Sequence, residues 1–286
     1  MSRRDEILNK VSAIPALPAS ATQAIRLIQS ETTGLSDIMK AIEYDVSLTA
    51  DVLRLANSAY FAGPRQISSL REAGVLLGAA RILQLVLASA VFPVASRPIK
   101  GYDLPANDLL DHLLAVAIGA EELGKRLRVS VPHYTFTAGL LHDIGKIVLG
   151  TFLEVDGEAI RQVAFEEQIS FEAAEDRVLG INHAEVGAAL LESWQLPEGI
   201  VQVVRWHHSP ELAGAEALTA DLVHAADMLS IECGLGVGVD GLNYRIGPDV
   251  AERLRLKATL AEQVTAAMLT ELQAIRAQRR PTGGAA

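Results

Sequence analysis

The chain has 286 residues, of which half are hydrophobic and only 5% are aromatic, and its net charge is −10 at pH 7. It is long enough for one large or two small domains with a core of Leu, Val, Ala and Ile, a composition that favours close-packed helices. The acidic balance argues against a broad nucleic-acid-binding surface, because neutralising phosphates requires clustered Lys and Arg.

The first part of the chain shows apolar residues at helical spacing and no period-2 pattern of the kind that indicates a strand. An extended, Pro-containing stretch at 14–20 leads into a predicted helix over 21–30. Two further short helices are predicted within 34–61. Polar residues that cap helices well mark the predicted helix starts: Ser20, Ser36, Asp45 and Ser47.

The most apolar region, residues 73–96, is predicted to form one or two buried helices, interrupted by Gly74 and Gly78. A membrane span needs about 20 nearly uncharged apolar residues, whereas this region contains an arginine and a proline. No apolar run follows the charged N-terminus, so no signal peptide is predicted. The single cysteine, Cys233, excludes an intramolecular disulfide and favours a reducing compartment. We therefore expect a cytoplasmic protein without a membrane segment.

A Pro- and Gly-rich segment at 92–108 interrupts the helical pattern and predicts a boundary between two lobes. The expected organisation is an N-terminal helical lobe at 1–100, a second helical lobe at 101–245, and a C-terminal helix with a frayed tail at 246–286. The amphipathic pattern predicts further helices over 107–127, 137–150, 156–170, 182–194, 198–210, 218–234 and 249–278. The last helix is expected to pack on the core, and a dimer contact is the open alternative.

Six of the seven histidines fall at helical positions of the second lobe from which they could converge: His112, His142, His183, His207, His208 and His224. His142 and Asp143 lie in an apolar helical run, where a carboxylate is costly unless it is paired or bound to a cation. Such a pair can bind a divalent ion through a neutral nitrogen and an ionised oxygen. Asp227 is a second carboxylate in an apolar helix.

Four structural explanations remain open for these polar residues, the first being that Asp108 only caps or solvates the start of its helix. His224 lies three residues before Asp227 and could be its neutral hydrogen-bond partner. His207 and His208 could form an ordinary polar helix terminus, and Lys146 could extend its amine to solvent. Each of these would remove part of the need for a metal.

The order of the motifs resembles a known family. An early His, then His-Asp followed by Ile-Gly-Lys, then His, His-His and Asp is similar to the HD superfamily of metal-dependent phosphohydrolases. The stretches IEYDVSLTADVLRLANSAYF, FTAGLLHDIGKIVL, GINHAEVGAALLESWQLPEGIVQVVRWHHSP and LVHAADMLS resemble its HDOD branch more closely. The similarity extends over residues 10–232.

This resemblance implies an all-α, two-lobed helical bundle of bacterial signalling type. It places His112, His142, Asp143 and Asp227 at the positions of the ligands of a single metal. It places His183, His207 and His208 where the related HD-GYP branch has further metal ligands. Asp108 matches an additional ligand of that branch, and Lys146 its phosphate-binding residue. After WHHSP the chain lacks the Gly-Tyr-Pro element of that branch, which argues against hydrolysis of cyclic di-GMP.

The expected function is therefore a signal-transduction module that binds a partner protein or a nucleotide and retains a site for one or two divalent transition-metal ions. Mixed His and Asp ligation favours iron, manganese or zinc. The alternative is a metal-dependent phosphohydrolase acting on a nucleotide or phosphoester, with Asp143 and Lys146 as catalytic residues. Neither nucleic acid nor a membrane is an expected partner, and a homodimer is an open alternative.

Overall fold

The computed structural model of the protein describes residues 2–12, 14, 17–30, 33–58, 60–61, 66–152, 155, 157–240 and 244–278. Within these residues the regular structure is helical, and the only β-type pairing is an isolated bridge between Ile99 and Leu104. The all-α prediction is therefore confirmed. The predicted tail after 278 lies outside the described residues, as does part of the Pro-containing stretch at 14–20.

Within its described residues, the N-terminal part of the chain forms five helices, of which α5 is the longest. The apolar faces of α2, α3 and α4 pack against α5, and their buried residues belong to the main core. The bounds are α1 Arg3–Val11, α2 Ala19–Gln29, α3 Leu35–Glu43, α4 Val46–Ala56 and α5 Leu70–Ala95.

Two of the predicted helix caps are wrong. Helix α2 begins at Ala19 after Pro18, so Ser20 already lies in the first turn, where its hydroxyl donates to Asp45 Oδ2 at 2.7 Å. Helix α3 begins at Leu35 with Gly34 as its N-cap, so the predicted cap, Ser36, already lies inside the helix. The prediction for α4 is confirmed, because Asp45 Oδ1 accepts a hydrogen bond from Leu48 N at 3.0 Å.

Helix α5 contains a sharp break. Gly78 has φ +77° and ψ 168°, a conformation that favours glycine, and the predicted interruption at this residue is confirmed. Among the described residues, α5 is the one helix long and apolar enough, by length and composition, to span a membrane. Half of its most apolar window is buried inside the protein.

The later part of the chain is organised around α6. Residues 109–120 of this helix are all buried, whereas the charged residues near its C-terminal end are not, and it packs against α7, α13 and α15. The bounds are α6 Asp108–Leu127, α7 Thr135–Leu141, α8 Ile144–Ile147, α9 Gly157–Glu167, α10 Phe171–Leu179, α11 His183–Ser193, α12 Glu198–Trp206, α13 Ala217–Glu232, α14 Pro248–Arg253 and α15 Ala258–Gln278.

The C-terminal region forms two helices rather than the single helix that was predicted. The amphipathic pattern continues between α14 and α15, but the backbone does not. Arg255 adopts φ +48°, and Leu256 N donates a hydrogen bond back to Ala251 O at 2.9 Å. This is a left-handed helix end. The predicted packing on the core is confirmed: the buried residues of this region are Val250, Leu254, Val264, Met268, Leu272 and Ile275.

One apolar core runs through both predicted lobes. Helix α1 packs on α11, and α5 packs on α6 and α7, so contacts cross the predicted boundary near residue 100. The three-part division at 1–100, 101–245 and 246–286 stays a prediction.

Candidate metal centre

The helical run predicted over 137–150 is divided in two at the His-Asp pair. His142 is the residue after α7, and Asp143 precedes α8 with φ −102° and ψ 15°. Gly145 lets α8 lie directly on α11, because a Cβ at this position would come within 1.9 Å of His183 O. The close approach of these helices brings His183 to Asp143.

Seven predicted ligands converge in two groups. In one group, ligand atoms of His112, His142 and Asp227 lie within 4.8 Å of one another. The second group joins Asp143 to three histidines under the same distance limit. The second group consists of Asp143, His183, His207 and His208.

Asp143 faces both groups. Its Oδ1 lies 3.1 Å from His183 Nε2 and 3.8 Å from His207 Nε2. Its Oδ2 lies 3.4 Å from the Nε2 atoms of both His112 and His142. A carboxylate with one oxygen toward each group has the arrangement needed to bridge two cations.

The other ring nitrogen of each of four histidines is held by a polar partner. His142 Nδ1 is 2.7 Å from Gly139 O, and His207 Nδ1 is 2.7 Å from Val204 O. These carbonyls require protonated Nδ1 atoms, which leaves the Nε2 lone pairs for a ligand. The same role is available to Ser230 Oγ at His112 Nδ1 and to Glu175 Oε2 at His183 Nδ1. Metal-binding histidines are typically oriented in this way.

Glu175 and Tyr102 were not predicted from the sequence. Glu175 is fully buried, and its Oε2 accepts from both the backbone N and Nδ1 of His183 at 2.7 Å. Tyr102 donates its hydroxyl proton to the other carboxylate oxygen. Glu175 lies on a helix with several acidic residues, and no local pattern distinguishes it from its solvated neighbours.

Replacing Glu175 with Gln is expected to lower the affinity for Mn²⁺ by about ten- to a hundredfold, because His183 loses the anion that orients it and raises its basicity. Isothermal titration of metal-free protein measures this change. Glu166→Gln, on the exposed face of α9, makes the same substitution away from the cluster and should leave the affinity unchanged. Equal affinities for the two variants would refute the role assigned to Glu175.

Lys146 is buried rather than extended to solvent. Its Nζ lies 2.7 Å from Asp143 Oδ2 and 2.5 Å from Asp240 Oδ2. Burial would lower the pKa of Lys146, but these two carboxylates outweigh it and raise the pKa above the usual lysine value. Asp240 was not predicted from the sequence, because it lies in the Gly-rich stretch after α13 and far from Lys146 along the chain.

The carboxylates control the protonation of the cluster. Burial would raise the pKa of Asp143 and lower that of His142, but attraction between opposite charges reverses both effects. The pKa of Asp143 is held well below its usual range, while that of His142 rises to about 9. His183 behaves like His142, and its pKa rises to about 10. Burial and repulsion from His142 lower the pKa of His207 to about 3.

Three other polar residues considered from the sequence lie outside the cluster. His224 does not pair with Asp227: its Nδ1 bonds to His207 O at 2.9 Å, and its Nε2 accepts from Gly247 N. Asp108 belongs to neither group of potential ligands among the described residues, and partial burial raises the pKa of its carboxyl. His133 is exposed.

The cluster fits a divalent metal. His207 Nε2 is a buried atom without a hydrogen-bond partner, and leaving such an atom unpaired is costly. The donor set combines imidazole and carboxylate, which suits a transition metal. His208 is half-buried and stacks on Tyr244, while the other six potential ligands are buried.

Comparisons with known proteins agree with this architecture. A family model described as the HDOD domain matches residues 14–210. The chain is 29% identical over 204 residues to an uncharacterized protein of Treponema pallidum, an alignment covering 71% of this chain and 39% of that protein. The chain thus spans less than half the length of this curated relative.

Two solved structures share the fold over almost the whole chain. One is a protein from Shewanella amazonensis described as a candidate phosphohydrolase, with 27% identity, a TM-score of 0.72, and coverage of 96% of this chain and 98% of that one. The other is an HDOD domain protein with unknown function from Geobacter sulfurreducens, with 24% identity and a TM-score of 0.69. This match covers 95% of the present chain and 92% of the Geobacter protein.

Proposed function

Because the chain belongs to the HDOD domain family, we propose that it is a bacterial signal-transduction module that binds a partner protein or a nucleotide and holds one or two divalent transition-metal ions. The observation that carries the metal assignment is the position of Asp143, whose two oxygens face separate groups of ligand atoms. The proposed ligands are His112, His142 and Asp227 in one group, His183, His207 and His208 in the other, and Asp143 between them.

Burial of the cluster favours a binding module over an enzyme. A hydrolytic metal site needs an open coordination position for water or substrate, whereas His142, His183 and His207 have no exposed surface. The missing Gly-Tyr-Pro element after WHHSP points in the same direction. In this proposal the ions hold the helices of the site together.

A metal-dependent phosphohydrolase is the second candidate. It is favoured by Lys146, whose amine touches Asp143 and would provide a cation beside the ions. The Shewanella neighbour described as a candidate phosphohydrolase adds support. A bound divalent ion would supply an acidic water and neutralise phosphoryl oxygens, and Asp143 and Lys146 would be the catalytic residues.

Elemental analysis of the purified protein tests the shared part of both candidates. We expect about one to two ions of iron, manganese or zinc per chain. Absence of metal, even after reconstitution with each of these ions, would overturn the proposal. A screen of phosphomonoesters and phosphodiesters then separates the candidates: turnover that is lost in Asp143→Ala supports the hydrolase, and metal without turnover supports the binding module.

Metal affinity is expected to rise with pH. The pKa values of His142 and His183 in the metal-free protein are about 9 and about 10, so both rings carry a proton at neutral pH that an ion must displace. Between about pH 7 and pH 9 the affinity should increase by roughly tenfold per pH unit for each proton displaced. Titration calorimetry in buffers of different ionisation enthalpy counts these protons, and a pH-independent affinity would contradict the assignment.

A further inference from the structure

The Gly-rich stretch after α13 lies against the cluster. Gly236 has φ +68°, and a Cβ at this position would come within 2.6 Å of Cβ and Cγ of His112. A Cβ on Gly238 would lie 2.0 Å from Tyr102 O, the atom that also accepts a hydrogen bond from Val239 N at 2.9 Å. Glycine at these positions therefore allows the segment Gly234–Asp240 to approach the ligands closely.

This segment ends in a buried ion pair. Asp240 is 2% exposed and Lys146 is 3% exposed, and their charged atoms are 2.5 Å apart. The other oxygen of Asp240 accepts from Gly238 N at 3.2 Å, which fixes the carboxylate within its own loop. Asp240 lies in neither group of potential metal ligands, so the proposed metal site does not require it.

The charge of the loaded site explains what Asp240 would do. Two divalent ions exceed the charge of Asp143 and Asp227 by two units, and Glu175 beside His183 removes one of these. The charge of Lys146 is cancelled by Asp240 while their ion pair holds, so the loaded site keeps an excess of one positive charge. Such a site attracts an anion with several oxygens, because divalent cations and a lysine ammonium together favour phosphate-type groups. Asp240 is the internal anion that already neutralises Lys146.

We propose that Asp240 is an internal competitor for a phosphate-type anion at Lys146. A phosphate group entering the cluster has to take the place of the Asp240 carboxylate and displace the segment Gly234–Asp240 from His112. The site therefore inhibits itself, because the free energy needed to break the Lys146–Asp240 ion pair lowers the affinity for the anion. This inference rests on the proposed function, since it assumes a cluster loaded with metal.

Binding of inorganic phosphate by the full chain reconstituted with Mn²⁺ tests this role. Asp240→Asn keeps the side-chain oxygen that accepts from Gly238 N but removes the charge, and we expect it to bind phosphate at least about tenfold more tightly than the wild type. Asp249→Asn makes the same charge change at an exposed residue of α14 and should not change the affinity. Lys146→Met combined with Asp240→Asn should abolish the gain.

A second measurement uses the wild type alone. Phosphate should accelerate hydrogen exchange at Val239 N, whose bond to Tyr102 O is lost when the segment moves, and chloride at equal ionic strength should not. If the metal-loaded Asp240→Asn variant binds phosphate with the wild-type affinity, the inference is wrong and the proposed function is unaffected. The same holds if phosphate does not change hydrogen exchange at Val239 in the wild type. Protein that takes up no metal overturns the proposed function, and the inference falls with it.

Discussion

Replacing Asp143 with Asn is expected to remove metal from both groups of ligands. The carboxylate supplies Oδ1 to the group around His183 and Oδ2 to the group around His112, and an amide can offer only one neutral oxygen. The loss of affinity should exceed the roughly ten- to hundredfold loss caused by changes outside the ligand shell. Elemental analysis and Mn²⁺ titration measure the stoichiometry and the affinity.

Asp227→Asn provides a comparison within the same cluster. Asp227 Oδ1 lies 3.2 Å from His112 Nε2 and 3.7 Å from His142 Nε2, and its group does not include the other three histidines. This variant should therefore lose one ion, while Asp143→Asn loses both. His133→Gln, at an exposed histidine, should retain the wild-type content. If Asp143→Asn is folded by circular dichroism and keeps its full metal content, the bridging role is wrong.

Removal of metal from the wild type is expected to lower its melting temperature by about 8 °C. At a free metal concentration a thousandfold above the dissociation constant, binding to the native state contributes about 4 kcal/mol. In a chain of this size, each kcal/mol of unfolding free energy shifts the melting temperature by about 2 °C. The physical source is the buried cluster, in which His207 Nε2 lacks a hydrogen-bond partner and would gain one in a bound ion.

The comparison is made by calorimetry with and without a chelator. Asp143→Asn should melt at the same temperature under both conditions, because it has no metal to lose. A shift of equal size in this variant would show that the chelator acts elsewhere. A wild type that contains metal and yet melts unchanged after its removal would contradict a role of the ions in holding the helices together.

The candidate site was predicted from two kinds of signal in the sequence, and its role as a metal site stays a prediction. His142, Asp143 and Asp227 are polar residues in apolar helical surroundings, and the order of the motifs identified the remaining histidines. Glu175 and Asp240 carry no such signal. Each acquires its role from a partner on another element, His183 and Lys146 respectively, and such contacts exist only after folding.

The errors in the fold have a similar origin. Ser20 and Ser36 have good capping chemistry, but Pro18 and Gly34 precede the helices. The amphipathic period of the C-terminal region continues through Arg255, whose left-handed backbone divides α14 from α15. Periodicity identified which residues are buried, whereas the exact helix ends depend on backbone angles that the pattern does not encode.

The shared carboxylate of Asp143 makes the two proposed ion positions thermodynamically linked. An ion in the group containing His183 would change the charge and orientation of the oxygen that faces His112, so it would change the free energy of binding in the other group. The linkage is reciprocal, with one coupling free energy describing both directions. Metal uptake by this protein should therefore follow a cooperative or anticooperative isotherm, and the helices that carry the ligands should respond to the pair of ions as one unit.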